Sequence, residues 1–276
     1  MSSRAGALAT LLLLTACAAQ APVPATATAR PSRAAVVPPR TAGTGPELVA
    51  GAGTIGRPAQ APLAPTYRLS LLADHCVDRD LATPAVDDPA LTILDRTYAL
   101  AADHVPADLV PASEAGFTDA SATKRVSAAL VADLAAMREA WTAAGLTISV
   151  ESAYRSYAAQ EATFNLWVAR VGLADATLRT ARPGHSEHQL GTALDLTSPG
   201  WSGRIGDWAV ESAEGAWMVE HGWEYGFVMS YPAGAEAVTC FAYEPWHWRW
   251  IGREAAAAQH ESGVPLREHL VRMADA

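Results

Sequence analysis

Two short stretches of this chain set histidine and carboxylate side chains close together. Gly184-His185-Ser186-Glu187-His188-Gln189-Leu190-Gly191-Thr192-Ala193-Leu194-Asp195 offers two imidazoles and two carboxylates, and Glu244-Pro245-Trp246-His247 adds one of each. Imidazole nitrogen and carboxylate oxygen are zinc donors, and a catalytic zinc site uses three protein ligands and leaves one position for water. Two histidines and an aspartate meet that requirement, and a glutamate remains to take a proton from water. His185 and His188 stand three residues apart, so either can supply the first imidazole. Arg155 brings a guanidinium that can clamp a carboxylate or support an oxyanion.

These side chains need elements to position them. Leu194 and Leu196 flank Asp195, so a strand with its leucines in the core turns Asp195 to the other face. Trp246, Trp248 and Trp250 alternate with His247 and Arg249, which sets His247 opposite a tryptophan face. Ile148 and Val150 alternate with Thr147, Ser149 and Glu151 in the same way. On one unbroken strand Glu244 and His247 would face apart, so a turn or bulge is expected at Pro245. Val126, Leu130, Leu134, Met137 and Trp141 recur at helical spacing and predict a helix over Ser121–Ala144, stopped by Gly145. Phe164, Trp167, Val168 and Val171 predict a second helix ending at Gly172, a third is expected over Ser212–His221, and Pro265 opens a last one. Few strands and several helices predict an α+β domain with a small antiparallel sheet and flanking helices.

The pattern Ser186-x-His188-x-x-Gly191-x-Ala193-x-Asp195, followed after roughly fifty residues by Glu244-x-x-His247, resembles the VanY-type zinc D-alanyl-D-alanine carboxypeptidases. These are M15, LAS-type metallopeptidases of Hedgehog/DD-peptidase-like fold. Ser152-Ala153-Tyr154-Arg155-Ser156-Tyr157 with Gln160, Tyr225-Gly226-Phe227 with Tyr231-Pro232, and Val105-Pro106-Ala107-Asp108-Leu109-Val110 are similar to further segments of that family. The resemblance implies one zinc ion held by His188, Asp195 and His247, with Glu244 as general base. It favours His188 over His185, and implies that Arg155, Ser156, Gln160 and Ser186 contact substrate. Glu187 is expected to be solvated or to stand behind the ligands. The implied substrate is the peptidoglycan stem peptide, cut to release its terminal D-alanine. An L,D-carboxypeptidase of tetrapeptide stems shares these motifs, and a non-catalytic wall-binding module is the reading from a different class.

The remainder of the chain bears on location and partners. Arg4 followed by the apolar run Ala7–Ala16 reads as an export signal, too short to span a membrane as a helix. Leu14-Thr15-Ala16-Cys17 resembles a lipobox, which makes residues 1–17 a lipoprotein signal with Cys17 lipidated and the protein extracytoplasmic, lipid-anchored to the membrane. Residues 18–65 are rich in Ala, Pro and Thr without periodicity and read as a disordered tether reaching roughly 40 Å. The zinc carboxypeptidase domain is expected over 66–276, with a disulfide between Cys76 and Cys240 in an oxidising compartment. A formal charge of −9 and a single lysine, Lys124, leave no basic stripe for nucleic acid, and no protein partner is implied. Ser121-Ala122-Thr123-Lys124 imitates the Ser-x-x-Lys of serine D,D-peptidases, but the chain lacks Ser-Asp-Asn and Lys-Thr-Gly partners, so the stretch is expected to be a helix's first turn.

Overall fold

Period-two alternation builds the centre of the fold. The structure is a computed structural model that describes residues 75–83 and 88–274. The expected export signal with Cys17, the expected tether and residues 66–74 lie outside the described residues. Two small ribbons come first: β1 (Leu81–Ala82) runs parallel to β2 (Tyr98–Ala99), and β3 (Leu109–Pro111) pairs antiparallel with β4 (Arg125–Ser127). Helix α1 (Val131–Ala143) leads into β5 (Ser149–Ser152), α2 (Tyr157–Val171), α3 (Leu173–Arg179) and β6 (Ala193–Thr197). After α4 (Trp208–Glu211) and α5 (Ala213–His221) come β7 (Phe227–Met229), α6 (Glu236–Thr239), β8 (His247–Trp250), α7 (Arg253–Ser262) and α8 (Leu266–Ala274). The main sheet has four antiparallel strands in the order β5-β6-β8-β7. This is the expected α+β arrangement.

One face of that sheet is dry. Val150, Leu194, Leu196, Phe227 and Trp248 pack against Leu130, Leu134, Met137 and Trp141. A second apolar cluster, with Ile93, Val228, Ile251, Leu266 and Leu270, seats the two C-terminal helices. The helix expected to end at Gly172 does so, with the Ser156 hydroxyl accepting the Ala159 N–H at its start. Ser212 likewise caps α5 through the Gly215 N–H.

The expected helix over Ser121–Ala144 starts ten residues later, at Val131. Asp119 accepts the Ser121 N–H and caps a 3₁₀ turn at Ala120–Thr123, after which Arg125–Ser127 extends to pair with β3. Val126 is buried from that strand, at a spacing that only imitates a helical turn. The Ser121 hydroxyl accepts the Val150 N–H at 2.9 Å, so the Ser-x-x-Lys stretch is a 3₁₀ turn tied to β5 and not the opening of α1. Pro265 precedes α8 by one residue and its carbonyl accepts the His269 N–H.

Cys76 and Cys240 are joined by a disulfide. It fastens the described segment 75–83 to the stretch leading into Glu244. Among the described residues no helix is long and apolar enough to cross a membrane.

Candidate active site

Strands β6 and β8 lie side by side with Asp195 paired opposite His247. Leu194 and Leu196 enter the core, so Asp195 turns to the opposite face, and Trp248 does the same for His247. The bend expected at Pro245 is present: the His247 N–H donates to the Glu244 carbonyl at 3.1 Å, which brings Glu244 round to the same cavity. His188 arrives from a 3₁₀ turn, Glu187–Leu190, that ends on Gly191 in the left-handed region at φ +74°. Glycine is required there, because a Cβ would lie 2.8 Å from Leu109 Cδ2.

These three side chains converge. His188 Nε2 lies 3.2 Å from Asp195 Oδ2, and His247 Nδ1 lies 3.1 Å from Asp195 Oδ1. One donor atom from each falls within 4.8 Å of the others. The remaining ring nitrogens are already committed, with His188 Nδ1 2.7 Å from the Ala153 carbonyl and His247 Nε2 2.9 Å from Glu187 Oε2. Both of those partners accept, so the committed nitrogens carry the protons. On neutral rings His188 Nε2 and His247 Nδ1 are therefore the nitrogens that keep a lone pair, and both are turned towards Asp195. Three such donors turned towards one another call for a proton or a metal ion among them, and two imidazoles with one carboxylate are a donor set that suits zinc.

The electrostatics give the same picture. Burial disfavours charge on His247, but its hydrogen bonds to Asp195 and Glu187 and their negative charges prevail, and its pKa is pushed up to about 10. A proton on that ring thus takes the place a metal cation would hold. Burial also opposes ionisation of Asp195, yet His188 and His247 hold its carboxyl far below the usual carboxylate range. Glu244 is the exception: burial, with Asp195 and Glu187 adding to it, outweighs the pull of His247 and Arg155 and raises its pKa to about 8. A dication beside it would lower that value and leave a carboxylate able to take a proton from water.

The cleft in front of this cluster has a volume of about 310 Å³ and is lined by Arg155, Gln160 and Ser186 as well as Glu244. The Arg155 guanidinium stands 3.6 Å from Asp195 Oδ2. It donates to Gln160 Oε1 at 2.8 Å and to Ser152 Oγ at 3.0 Å. Gln160 in turn donates to Thr180 Oγ1 and the Ala181 carbonyl, so its amide is consumed in holding Arg155. Ser156 is not brought to the cleft; its hydroxyl is the cap of α2. His185 points elsewhere, its ring bridging the Asp95 carbonyl and Asp80, so only His188 of that pair reaches the cluster.

Glu187 is not solvated. It is buried, and its carboxylate accepts from Ser230, from His247 and from Arg249 Nη1, the last at 2.8 Å. Burial alone would raise its pKa, but Arg249, His247 and Ser230 hold it at about 2. Arg249 is completely buried and also donates to the Ala90 and Thr92 carbonyls. Arg249–Glu187–His247–Asp195 is thus one continuous charged chain behind the cleft. The sequence carries one sign of it: Arg249 shares the face of His247 by period two.

The chain matches the family profile of VanY, D-alanyl-D-alanine carboxypeptidase, over residues 123–253. It is 31% identical over 184 residues to YodJ of Bacillus subtilis, a carboxypeptidase by name, an alignment covering 66% of this chain and 67% of YodJ. The protein belongs to the VanY carboxypeptidase family. Solved carboxypeptidase structures superpose on it. The LD-carboxypeptidase LdcB does so with a TM-score of 0.60 at 31% identity, covering 67% of this chain and 87% of LdcB. A point variant of the D,D-pentapeptidase VanY from a VanB-type resistance cassette, in complex with Zn(II), gives a TM-score of 0.57 at 26% identity, covering 66% and 99%. The VanY-matching span contains His188, Asp195, His247, Glu244, Arg155 and the Glu187–Arg249 pair.

Proposed function

We propose that this protein is an exported zinc carboxypeptidase that removes the C-terminal D-alanine from peptidoglycan stem peptides. The observation that carries the reading is the meeting of His188, Asp195 and His247, with one donor atom of each within 4.8 Å of the others, beside a raised Glu244 in an open cleft. Zinc at that point supplies Lewis acidity, which makes an attacking water easier to deprotonate and polarises the scissile carbonyl. Glu244 takes the proton from water and passes it to the departing amine. Arg155, held by Gln160 and Ser152, offers N–H groups to an anionic oxygen of the substrate, either the terminal carboxylate or the tetrahedral oxyanion. Ser186 lines the same cleft and is placed to meet the peptide.

A glutamate lining the cleft beside the three candidate metal ligands favours an enzyme over a wall-binding module, because retaining zinc does not require it. The lipobox at Cys17 supports a lipid anchor, and the stretch 18–65 supports a tether between membrane and wall. The second reading is L,D cleavage of tetrapeptide stems, favoured by the likeness to LdcB, which has the higher TM-score of the two solved relatives described. Mass spectrometry of purified pentapeptide and tetrapeptide muropeptides after incubation with the zinc-loaded protein separates these. Alanine released from pentapeptide supports D,D cleavage, release from tetrapeptide alone assigns the L,D bond, and no release from either rejects the peptidase.

A further inference from the structure

The Ser121-x-x-Lys124 stretch has no place at the metal cluster. It lines instead a second cavity of about 480 Å³. Glu151 and Ile205 line this cavity and the 310 Å³ cleft alike, so the two form one trough. Glu151 stands at the junction for a backbone reason. Val150 pairs with Leu196 and Ser152 with Asp195, which makes Glu151 the extra residue of a bulge in the edge strand β5. A bulge re-aims a side chain out of the ladder. Among the described residues neither Glu151 nor Lys124, the chain's single lysine, forms an ion pair.

Trp201 lines the second cavity as well, and its ring is fixed in place. The indole N–H donates to the Arg204 carbonyl at 3.3 Å. Gly203 packs so tightly on the ring that a Cβ would fall 2.4 Å from Cζ2. Ser149 and Thr197 add side-chain hydroxyls to the lining.

An anchored indole beside an unpaired carboxylate, an unpaired ammonium and hydroxyls is suited to a saccharide. The C–H bonds of a pyranose face carry partial positive charge and meet the negative face of the ring, while the sugar's hydroxyl and acetamide groups exchange charge-assisted hydrogen bonds with the polar lining. We infer that this cavity binds the N-acetylated amino sugar from which the stem peptide hangs, so the preferred substrate is a glycopeptide and not a free peptide. The inference rests on the peptidoglycan reading above. Under it, the stem runs from the metal cluster past Glu151, and Trp201 and Lys124 hold its sugar end.

The test is steady-state kinetics of the zinc-loaded full-length protein on N-acetylmuramoyl-peptide and the identical sugar-free peptide, with penta- and tetrapeptide pairs run in parallel. The expected result is a KM at least about tenfold lower for the sugar-bearing member, a difference of about 1.4 kcal/mol, with kcat alike. Trp201→Ala and Lys124→Gln should raise the glycopeptide KM towards the sugar-free value and leave sugar-free kinetics unchanged. Trp201 also packs against the main core, so Lys124→Gln carries the test if Trp201→Ala does not fold. Equal KM values for both members in the wild type, or a ratio that neither variant moves, overturns the inference. If neither member of any pair is cut, the peptidase reading fails on its own. Calorimetric titration of the same two peptides then decides the sugar site, and binding of the glycopeptide no tighter than that of the peptide rejects it.

Discussion

Strands β6 and β8 have two faces that are buried for opposite reasons. On one, Leu194, Leu196 and Trp248 are withdrawn from water into the apolar core. Burial there is its own reward, about 25 cal/mol per Å² of apolar surface. On the other, Asp195, His247 and Arg249 occupy the alternate positions of the same strands. Their burial opposes charge, and they stay ionised because each has an opposite partner: Arg249 with Glu187, Glu187 with His247, His247 with Asp195. The dry face stabilises the domain by area. The wet face adds little net stability, yet tolerates the loss of no single member, since that leaves a buried charge alone.

The sharpest probe of this contrast is Glu244→Gln, which belongs to the wet face but to no ion pair. We expect kcat to fall about 10²–10⁴-fold while zinc content and melting temperature hold. Activity retained at the wild-type level would remove Glu244 as the base. Next comes Glu187→Ala, which strands Arg249 in the interior. Denaturant titration should show a loss of about 3–5 kcal/mol, and zinc affinity should drop about 10–100-fold. An unchanged titration curve would mean that the charged chain is not coupled to folding. Leu194→Ala on the dry face should lower stability by about 2–5 kcal/mol and leave kcat at saturating zinc intact, because no reacting group moves.

Away from both faces, Cys76→Ser with Cys240→Ser should lower stability by about 2–4 kcal/mol, measured as a shift in the denaturant midpoint. A further probe is the pH slope of chelator-treated protein. His247, raised from 6.5 to about 10, contributes stability that is complete below 6.5 and lost as pH rises through 10. Glu244, raised from 4.5 to about 8, acts in the same direction between those values. Glu187, lowered from 4.5 to about 2, contributes stability that is lost as pH falls through that window. Metal-free protein should therefore melt highest near pH 4.5, where the gain from Glu187 is complete and the loss from Glu244 begins, and its melting temperature should decline towards pH 10. Zinc should flatten that decline, and a metal-free curve flat from pH 6 to 10 would contradict the His247 assignment.

Much of the dry face was legible because period two and period 3.6 are local properties of the chain. The leucines around Asp195, Trp248 and Trp250 opposite His247 and the turn at Pro245 follow from neighbours within a few residues, whereas Trp246, expected on the same face as those two tryptophans, precedes β8 and lines the cleft. Val126 shows where locality fails. Its spacing fitted a helix, but pairing with β3, a contact to residues far back in the sequence, drew it into a strand. Ser156 is the converse case, since its hydroxyl is claimed by the Ala159 N–H only three residues on, a local cap of α2, and so does not reach the cleft.

By itself, then, the sequence determined the alternation that sends Asp195 and His247 away from the core, and the residue types able to hold zinc. Tertiary structure decided that His188 and not His185 meets them, that Gln160 is spent on Arg155, and that Glu187 and Arg249 stand as a buried pair behind His247. The reason is range. Which face a side chain takes is set by its immediate neighbours, whereas the partners in this buried charged chain come from far along the sequence, 52 positions for Asp195 and His247, 60 for Glu187 and His247 and 62 for Glu187 and Arg249, and are fixed only when the strands close on one another.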